Sequence, residues 1–401
     1  MQLDLFEQFS TSRNVGIELH ELFEAYTECR RNKRNTANAL AFEMDYETRL
    51  IDLWRDINAH TYNPGKSIAF IVDKPVLREI FAADFRDRVV HHLLIRKLNP
   101  LFEKCFIFDS YACRVGKGTH LGIRRIDRFI RCCSQNYTRD CYLLKLDIQG
   151  FFMSINKDIL WTRLQSFIQA YYHQADQPLV LELCRKIIEN DPTRHCVFKG
   201  QASDWDDLPV TKSLFHSHAG CGLPIGNLTS QVFANFYLNA FDHYVKKDLG
   251  IRYYGRYVDD FVLVHTDQTF LQDIVPKLAH FLQHHLQLTL HPKKIYLQHY
   301  SKGVQFLGTV IKPHRIYMAN RTKGNFYAAI QKHNRVVQTA KPDKTERDAF
   351  LSSMNSYLGI LKHYKTFALR KRMLLKNLSP WWWRAVRLRK AANKMTFKTK
   401  G

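Results

Sequence analysis

The chain has no long apolar run, no C-x-x-C pair and no acidic residue after Asp348. A helix that crosses a bilayer needs about 20 consecutive apolar residues, so we predict no transmembrane segment. The first seven residues include acids where a secretory signal peptide carries basic residues, which argues against export. We therefore expect a cytoplasmic protein that makes no use of a membrane.

Cysteine usage excludes two further classes of protein. The nine cysteines form an odd set that is scattered between Cys29 and Cys221. Disulfide frameworks and structural zinc sites need paired or regularly spaced cysteines, which this sequence lacks. The adjacent Cys132 and Cys133 are interpreted as structural thiols in a reducing compartment.

Positive charge is present in excess. The 401 residues include 60 Lys and Arg against 37 Asp and Glu, which gives a formal charge of +23. This charge favours a polyanionic partner, most simply the phosphate backbone of nucleic acid, with an anionic membrane surface as the lesser alternative. A hydrophobic content of 45%, with 27 Phe and 19 Tyr, can fill the cores of two or three domains.

Periodicity predicts secondary structure along the first two thirds of the chain. Apolar residues at helical spacing predict an N-terminal helix that ends in the basic cluster 30–34, which we interpret as a solvated helix end. The later patterns predict a strand over 68–72, a helix over 84–98, a strand over 142–146, a turn over 222–227, a helix from Ser230, a hairpin over 251–265, another helix and a strand over 304–311. This order predicts an α+β fold, an antiparallel sheet with helices on one face.

The sequence beyond Ile311 predicts a separate, strongly basic helical module. Apolar residues between Phe350 and Tyr364 repeat at helical spacing. Three tryptophans at 381–383 are followed by the basic residues Arg384, Arg387, Arg389 and Lys390. Aromatic side chains interleaved with arginine can stack on bases, and tryptophans that dock a terminal helix onto the body fit the pattern equally well.

Three carboxylates are placed where strands are predicted to end. Asp259 and Asp260 lie between two apolar stretches, and Asp147 ends the strand 142–146. Taken alone, an Asp-Asp pair is ordinary turn chemistry. Together with a third strand-end carboxylate and a basic chain, it predicts a site for two hard divalent cations such as Mg²⁺, as in a polymerase palm. We predict Asp147 and Asp259 as bridging ligands, with Asp260 and the backbone carbonyl of Ile148 completing the set.

Phe152 follows Asp147 by five residues. An aromatic ring at this place, where a strand turns into a helix, could lie beside the incoming sugar and exclude a ribose 2′ hydroxyl. A phenylalanine that fills the core explains the same residue equally well.

Several motifs together resemble those of reverse transcriptases. Residues 257–260, Tyr-Val-Asp-Asp, are similar to the catalytic box, and residues 147–152 resemble the first-carboxylate motif with its steric gate. Residues 86–90 and 110–114 are similar to fingers motifs shared with bacterial group II intron enzymes, and residues 306–308 resemble the primer-grip strand. The resemblance implies a right-hand polymerase with fingers and an N-terminal helical extension over 1–140, a palm over 141–311 with a fingers insertion around 160–220, and a basic helical thumb and tail over 312–401.

The resemblance also implies roles for basic residues. Lys294 lies where the family carries a lysine thought to protonate pyrophosphate. Arg78 matches the position of a cation that holds the triphosphate, with Lys74 as its nearest companion, although group II enzymes place a lysine where this chain has Val76. Arg114 is expected to hold template or nucleotide phosphates.

The segment 225–231, Ile-Gly-Asn-Leu-Thr-Ser-Gln, resembles the enzymes of diversity-generating retroelements, whereas most reverse transcriptases carry Gln at the first position. Those enzymes copy a template RNA with frequent errors at adenines, and the cDNA replaces part of a variable gene. The turn is expected to contact the template base and nucleotide through Ile225, Gly226, Ser230 and Gln231. Ile225 removes hydrogen bonds that could enforce pairing geometry, or it simply repacks the turn.

The expected function is therefore RNA-directed DNA synthesis with two Mg²⁺ ions, for which Mn²⁺ could substitute. The implied partners are template RNA, the RNA/cDNA duplex, deoxynucleoside triphosphates and a small basic oligomeric accessory protein. Two alternatives stay open: another bacterial reverse transcriptase class, such as a retron, group II-like or phage-defence polymerase, and a non-catalytic RNA-binding scaffold. Retention of all three carboxylates argues against the scaffold.

Overall fold

A computed structural model describes residues 16–31, 36–73 and 76–398 of the protein. Residues 32–34 of the predicted basic cluster, and the predicted triphosphate ligand Lys74, lie outside the described residues. Among the described helices, none combines the length and apolar character that crossing a bilayer requires.

The N-terminal third is mainly helical. Asp84 caps the longest of its helices, because its side chain accepts a hydrogen bond from the backbone N–H of Arg86 at 2.9 Å. The predicted helix start is confirmed, but the helix continues past Pro100 to Cys105 instead of ending at 98. The elements are α1 (Leu19–Arg31), α2 (Ala37–Glu43), α3 (Tyr46–Asn58), β1 (Ser67–Val72), β2 (Arg78–Ala82), α4 (Phe85–Cys105) and α5 (Thr119–Cys133).

The middle of the chain forms the central sheet, whose strands run antiparallel in the order β5-β6-β3-β7. A smaller sheet has the order β2-β1-β4. The helix predicted from Ser230 begins at Leu228, and a π-turn over Tyr244–Asp248 extends it. The elements are β3 (Tyr142–Asp147), α6 (Phe151–Ser154), α7 (Lys157–Tyr171), α8 (Gln177–Glu189), β4 (Cys196–Phe198), α9 (Leu228–His243), β5 (Tyr253–Tyr257), β6 (Asp260–His265), α10 (Gln268–Leu286) and β7 (Tyr296–His299).

Both faces of the central sheet are covered. Leu144 and Leu263 point into the larger core with α9 and α10, whereas Leu143 and Val262 point the opposite way, into a second core with α5. The α+β fold class is confirmed, but the prediction of helices on one face is wrong. Strand residues alternate between faces, and the apolar pattern of α5 does not reveal which face it covers.

The predicted single strand over 304–311 is also wrong. The structure has β8 (Val304–Phe306), β9 (Thr309–Lys312) and β10 (Arg315–Met318) in a separate sheet of order β10-β9-β8. The chain reverses at Leu307 and Gly308, whose φ angles are +48° and +79°. Two consecutive positive φ angles are typical of a type I′ hairpin turn.

The C-terminal part has its own core, centred on Trp382. Its indole is fully buried and stacks on Phe350 with ring centroids 3.8 Å apart, and its Nε1–H donates to the carbonyl of His333 at 3.1 Å. Trp382 therefore docks the tail onto the helices, as one of the two interpretations predicted. The elements are α11 (Asn320–Thr339), α12 (Lys344–Leu361), α13 (Phe367–Asn377), α14 (Pro380–Ala385), β11 (Val386–Leu388) and β12 (Met395–Phe397).

Residues 109–111 lie along the outer edge of β5. The N–H of Arg256 donates to the carbonyl of Asp109 at 2.9 Å, and the N–H of Tyr111 donates to the carbonyl of Arg256 at 3.0 Å. The Tyr111 ring lies between two glycines: a Cβ atom at Gly122 would be 2.9 Å from its Cδ2, and one at Gly255 would be 2.5 Å from its hydroxyl oxygen. Only glycine leaves room for the ring at both positions.

Candidate active site

The register of the central sheet brings the predicted carboxylates to one edge. In the antiparallel pair of β3 and β6, Asp147 lies directly opposite Asp260. Asp259 precedes Asp260 in the turn that joins β5 to β6. Three carboxylates thus lie at adjacent strand ends, as the sequence predicted.

The turn that carries Asp259 is strained. Tyr257 pairs with Asp260, which leaves Val258 and Asp259 as a two-residue connection. Val258 has φ +57°, a conformation that β-branched residues rarely adopt, whereas glycine is usual at the first position of such a type II′ turn. Backbone strain of this kind persists only where surrounding contacts hold it, and it clusters at active sites.

Burial raises the pKa of both hairpin carboxyls. Burial, with the negative charge of Asp147 adding to it, raises the pKa of Asp259 to about 6 against the opposing charges of Lys294 and Arg78. Burial likewise raises the pKa of Asp260 to about 7, although Lys145 opposes the shift. Ionisation of these two carboxyls is therefore less favourable than that of exposed aspartates.

Two lysines contact the carboxylates. Lys294 Nζ lies 2.8 Å from Asp147 Oδ1. The segment before Lys294 is held to the same strand end, since the carbonyl of Asp147 accepts a hydrogen bond from the N–H of His291 at 2.8 Å. Lys145 Nζ lies 3.1 Å from Asp260 Oδ2. The sequence reasoning missed Lys145, although the period of two in strands places it on the same face as Asp147.

The donor set suits a hard divalent cation. Among the described residues, no three acidic, histidine or cysteine side chains converge as a finished metal cage, and ammonium groups neutralise Asp147 and Asp260 instead. Asp260 Oδ1 is nevertheless buried and has no hydrogen-bond partner. Carboxylate oxygens, one of them free, are the ligands that Mg²⁺ prefers.

The backbone of Ile148 is oriented by its pairing with Leu290. It forms an antiparallel bridge with Leu290, and the hydrogen bonds of that bridge are made by its two neighbours, Asp147 and Gln149. In such a pair, the central residue directs its own carbonyl away from the bridged segment. The Ile148 carbonyl therefore points away from Leu290, while the side chain is buried.

The predicted substrate turn is docked on β2. The N–H of Phe81 donates to the carbonyl of Ile225 at 2.9 Å. Gly226 has φ +121°, and a Cβ atom there would lie 2.8 Å from Ile80 Cγ2 and 3.2 Å from the carbonyl oxygen of Phe81. Glycine is therefore required for the turn to approach the strand this closely.

Phe152 and Ile225 share one apolar cluster. Both are half-buried and pack against a small core that includes Phe81, Met153 and Leu214. The N–H of the neighbouring Leu223 donates to the carbonyl of Phe152 at 2.8 Å. Each side chain is partly core and partly accessible, so the gating role of Phe152 and the fidelity role of Ile225 stay predictions.

The first turn of α9 carries the remaining residues of this motif. Ser230 is buried. Gln231 is half-buried, and its Oε1 accepts a hydrogen bond from Cys113 Sγ at 2.9 Å. This contact joins the substrate turn to the predicted fingers motif 110–114.

The two predicted phosphate-binding arginines differ in placement. Arg78 is exposed at the start of β2, close enough to Asp259 to influence its pKa. The Arg114 side chain is only 4% exposed; it pairs with Glu103 at 2.8 Å and donates to the carbonyl of Ile107 at 2.6 Å. The charge of Arg78 thus acts on the Asp259 carboxyl, whereas the Arg114 side chain has protein partners where phosphates were expected.

A buried ion pair behind the hairpin also escaped the sequence reasoning. The side chains of Arg256 and Asp242 are both 0% exposed, and their closest atoms are 2.6 Å apart. The sequence signal for this pair is a charged residue inside the apolar strand β5.

Comparison with known proteins identifies a family. Residues 73–311, more than half of the chain, match the family described as "Reverse transcriptase (RNA-dependent DNA polymerase)". Protein YkfC of Escherichia coli is 23% identical over 327 residues, which cover 74% of this chain and 75% of that protein. The mitochondrial nuclear intron maturase 1 of Arabidopsis thaliana is 27% identical over 124 residues, which cover 29% of this chain and 16% of the maturase.

Two solved telomerase structures are more distant. That of Candida albicans, in complex with a telomeric RNA fragment, has a TM-score of 0.47 and 12% identity over 84% of this chain. That of Candida tropicalis has a TM-score of 0.43 and 13% identity over 66% of this chain. The chain spans 59% of the length of each telomerase chain.

Proposed function

This chain belongs to the reverse transcriptase (RNA-dependent DNA polymerase) family, and from that premise we propose that its strand-end carboxylates support the copying of a template RNA into cDNA. The observation that carries the proposal is the register that sets Asp147 opposite Asp260, with Asp259 in the adjoining turn. The family uses the right-hand polymerase fold, with an antiparallel palm sheet.

The metal ligands would be Asp147 and Asp259 as bridging carboxylates, with Asp260 and the carbonyl of Ile148 completing the set. Two Mg²⁺ ions, or Mn²⁺ in their place, would lower the pKa of the primer 3′ hydroxyl and neutralise charge on the leaving pyrophosphate. The carboxyls must be ionised to act as ligands, which the raised pKa of Asp259 and Asp260 makes dependent on pH.

Other side chains bind and orient the substrate. The Lys294 ammonium, which lies 2.8 Å from Asp147 Oδ1, would donate a proton to pyrophosphate. Arg78 would hold the triphosphate, with Lys74 as its companion. The accessible part of Phe152 would lie against the sugar and exclude a 2′ hydroxyl.

The subdomains of the proposed enzyme keep the predicted boundaries: fingers over 1–140, palm over 141–311 with a fingers insertion around 160–220, and thumb and tail over 312–401. Template RNA and the RNA/cDNA duplex would lie between them, and phosphates would meet the basic thumb. Arg384, Arg387 and Arg389 of the tail are exposed, which supports this placement. We propose that the enzyme works in the cytoplasm.

Within the family, we propose a diversity-generating retroelement enzyme that is error-prone at template adenines and works with a small basic accessory protein. The support is the turn at Ile225, whose side chain packs in an apolar cluster instead of offering an amide near the substrate. Without that amide, the site loses hydrogen bonds that could reject a misplaced base pair.

The test is Mg²⁺-dependent primer extension on a defined RNA template, with the products sequenced, for the wild type beside Ile225→Gln. We expect errors concentrated at adenines in the wild type, and about a several-fold reduction in the variant, since one hydrogen bond is worth about 1 kcal/mol. An unchanged error spectrum contradicts the role of Ile225. Accurate wild-type synthesis favours a retron, group II-like or phage-defence polymerase, and no synthesis even with cognate RNA and a basic partner favours the scaffold.

A further inference from the structure

A buried polar network lies directly behind the strained hairpin. Arg256 Nε donates to Asp242 Oδ1 at 2.7 Å, and Arg256 Nη2 donates to Asp242 Oδ2 at 2.6 Å. The Tyr254 hydroxyl also donates to Asp242 Oδ1, at 2.6 Å. The two charged side chains are fully buried, so solvent does not screen this pair.

The same guanidinium reaches the catalytic turn. Arg256 Nη1 donates to the carbonyl of Val258 at 2.9 Å and to Asn235 Oδ1 at 3.3 Å. Arg256 Nη2 also donates to Ser110 Oγ at 3.2 Å. Together with the two bonds to Asp242, these contacts give an acceptor to every one of the five N–H donors of the arginine.

We propose that Arg256 is a positioning residue for nucleotidyl transfer. Its bond to the Val258 carbonyl holds the strained turn and so fixes the direction in which Asp259 projects. Asp242 and Tyr254 in turn fix the plane of the guanidinium. This inference rests on the proposed function, because it assigns a role at the same metal site.

The strength of these contacts supports the assignment. A hydrogen bond from a charged donor to the partly buried Val258 carbonyl contributes free energy of the same order as the strain at a β-branched residue with positive φ. Loss of that single bond therefore allows the turn to relax. A buried ion pair is weak evidence for stability by itself, because well-packed apolar residues often do as well. The bond to Val258 gives this pair a geometric role that apolar residues lack.

The network also connects the hairpin to the substrate turn. Asp242 and Asn235 both lie on α9, the helix whose first turn contains Ser230 and Gln231. Asn235 Nδ2 donates to the carbonyl of Ala112 at 2.7 Å, within the predicted fingers motif. Arg256 thus holds the carboxylates at a fixed position relative to the elements proposed to carry template and nucleotide.

The test compares Arg256→Lys with wild type in single-turnover primer extension after active-site titration. Lysine keeps the charge beside Asp242 but lacks the planar fork that serves Asp242 and Val258 together. We expect the rate per active site to fall roughly 10- to 100-fold, because small misplacements of reacting groups have effects of that size. We also expect half-maximal rate at a higher Mg²⁺ concentration, with RNA affinity unchanged.

The control is Lys97→Met. Lys97 pairs with Asp176 at 2.8 Å and also with Glu21, so this variant removes the cation of a partly buried ion pair that does not contact the hairpin. Neither partner belongs to the central sheet. For Lys97→Met we expect a smaller fraction of active molecules than in the wild type, and a rate per active site equal to that of the wild type.

A second variant keeps the inference testable if Arg256→Lys does not fold. Tyr254→Phe leaves the ion pair intact and removes one bond that orients Asp242, so a smaller loss of rate and a smaller shift in Mg²⁺ dependence are expected. A wild-type rate and Mg²⁺ dependence in the folded variants would overturn the inference and leave the polymerase intact. A wild type that extends no primer would instead overturn the proposed function.

Discussion

Two carboxylate environments lie close together at the hairpin, one at the strand ends of the central sheet and one on α9 behind it. Behind the hairpin, both oxygens of Asp242 accept hydrogen bonds from Arg256 or Tyr254. At the strand ends, Asp260 Oδ1 is buried without a partner, and burial raises the pKa of Asp259 and Asp260. The hydrogen-bonded network therefore supports the site from behind, whereas the carboxylate with an unpaired oxygen lies where a cation is proposed to bind.

The strongest way to test this contrast is to remove a strand-end carboxylate. Asp259→Ala should reduce primer extension by about 10³-fold or more, because a metal ligand contributes several kcal/mol to transition-state stabilisation. RNA affinity should change little, since one charge is lost from a chain of formal charge +23. Extension and filter-binding assays measure the two quantities, and Asp273→Ala, at an exposed position of α10, is the control. Loss of RNA binding together with activity would indicate misfolding or a structural metal.

The supporting network should respond in stability. Asp242→Asn leaves the Arg256 charge buried without its counter-ion, which we expect to lower the free energy of unfolding by about 3–5 kcal/mol. Asp140→Asn is the matched control: Asp140 is 78% exposed and 3.1 Å from His299, and such surface pairs contribute roughly 0–1 kcal/mol. Urea denaturation measures both. Equal, small effects would mean that the buried network does not support the fold.

A smaller effect should appear as a pH dependence of stability. The Asp260 carboxyl has a pKa of about 7 in the folded protein, above its ordinary value of about 3.9, so the unfolded chain releases this proton first as pH rises. The carboxyl therefore costs stability progressively between about pH 4 and pH 7. Asp260→Asn should remove that cost. The free energy of unfolding of the variant minus that of the wild type should therefore be larger at pH 8 than at pH 4, by on the order of 1–3 kcal/mol.

Urea denaturation at both pH values, without divalent cations, measures this gain. Adding Mg²⁺ should reduce it, because the cation stabilises the ionised carboxylate of the wild type only. If the free energies of unfolding of variant and wild type differ by the same amount at both pH values, the charge of Asp260 does not destabilise the folded protein.

The sequence predicted the local part of this site and missed the distant part. Strand ends and the Asp-Asp turn are encoded within a few residues, so Asp147, Asp259 and Asp260 could be recognised. The ion pair of Arg256 with Asp242 joins a strand to a helix, and no local pattern specifies it. The same holds for Arg114. Its sequence motif predicted a phosphate ligand, but in the structure its side chain pairs with Glu103.

Fold predictions failed for related reasons. The reversal at Leu307 and Gly308 lacks the Asn-Gly or Asp-Gly pair that usually marks a two-residue hairpin, so residues 304–311 were predicted as one strand. Helical periodicity correctly indicated that α12 has an apolar face. It could not indicate that α5 covers the second face of the sheet, because periodicity identifies a buried side and not its neighbour.

The fit of Tyr111 between Gly122 and Gly255 has a consequence for how this chain can diverge. Neither glycine can acquire a side chain while the ring remains, whereas a smaller residue at 111 would remove the closest contact at both positions and leave a cavity. The three sites are therefore expected to change together or not at all among descendants of this sequence. A mutational library that varies them singly should recover almost only the starting residues, and one that varies all three at once should recover new combinations.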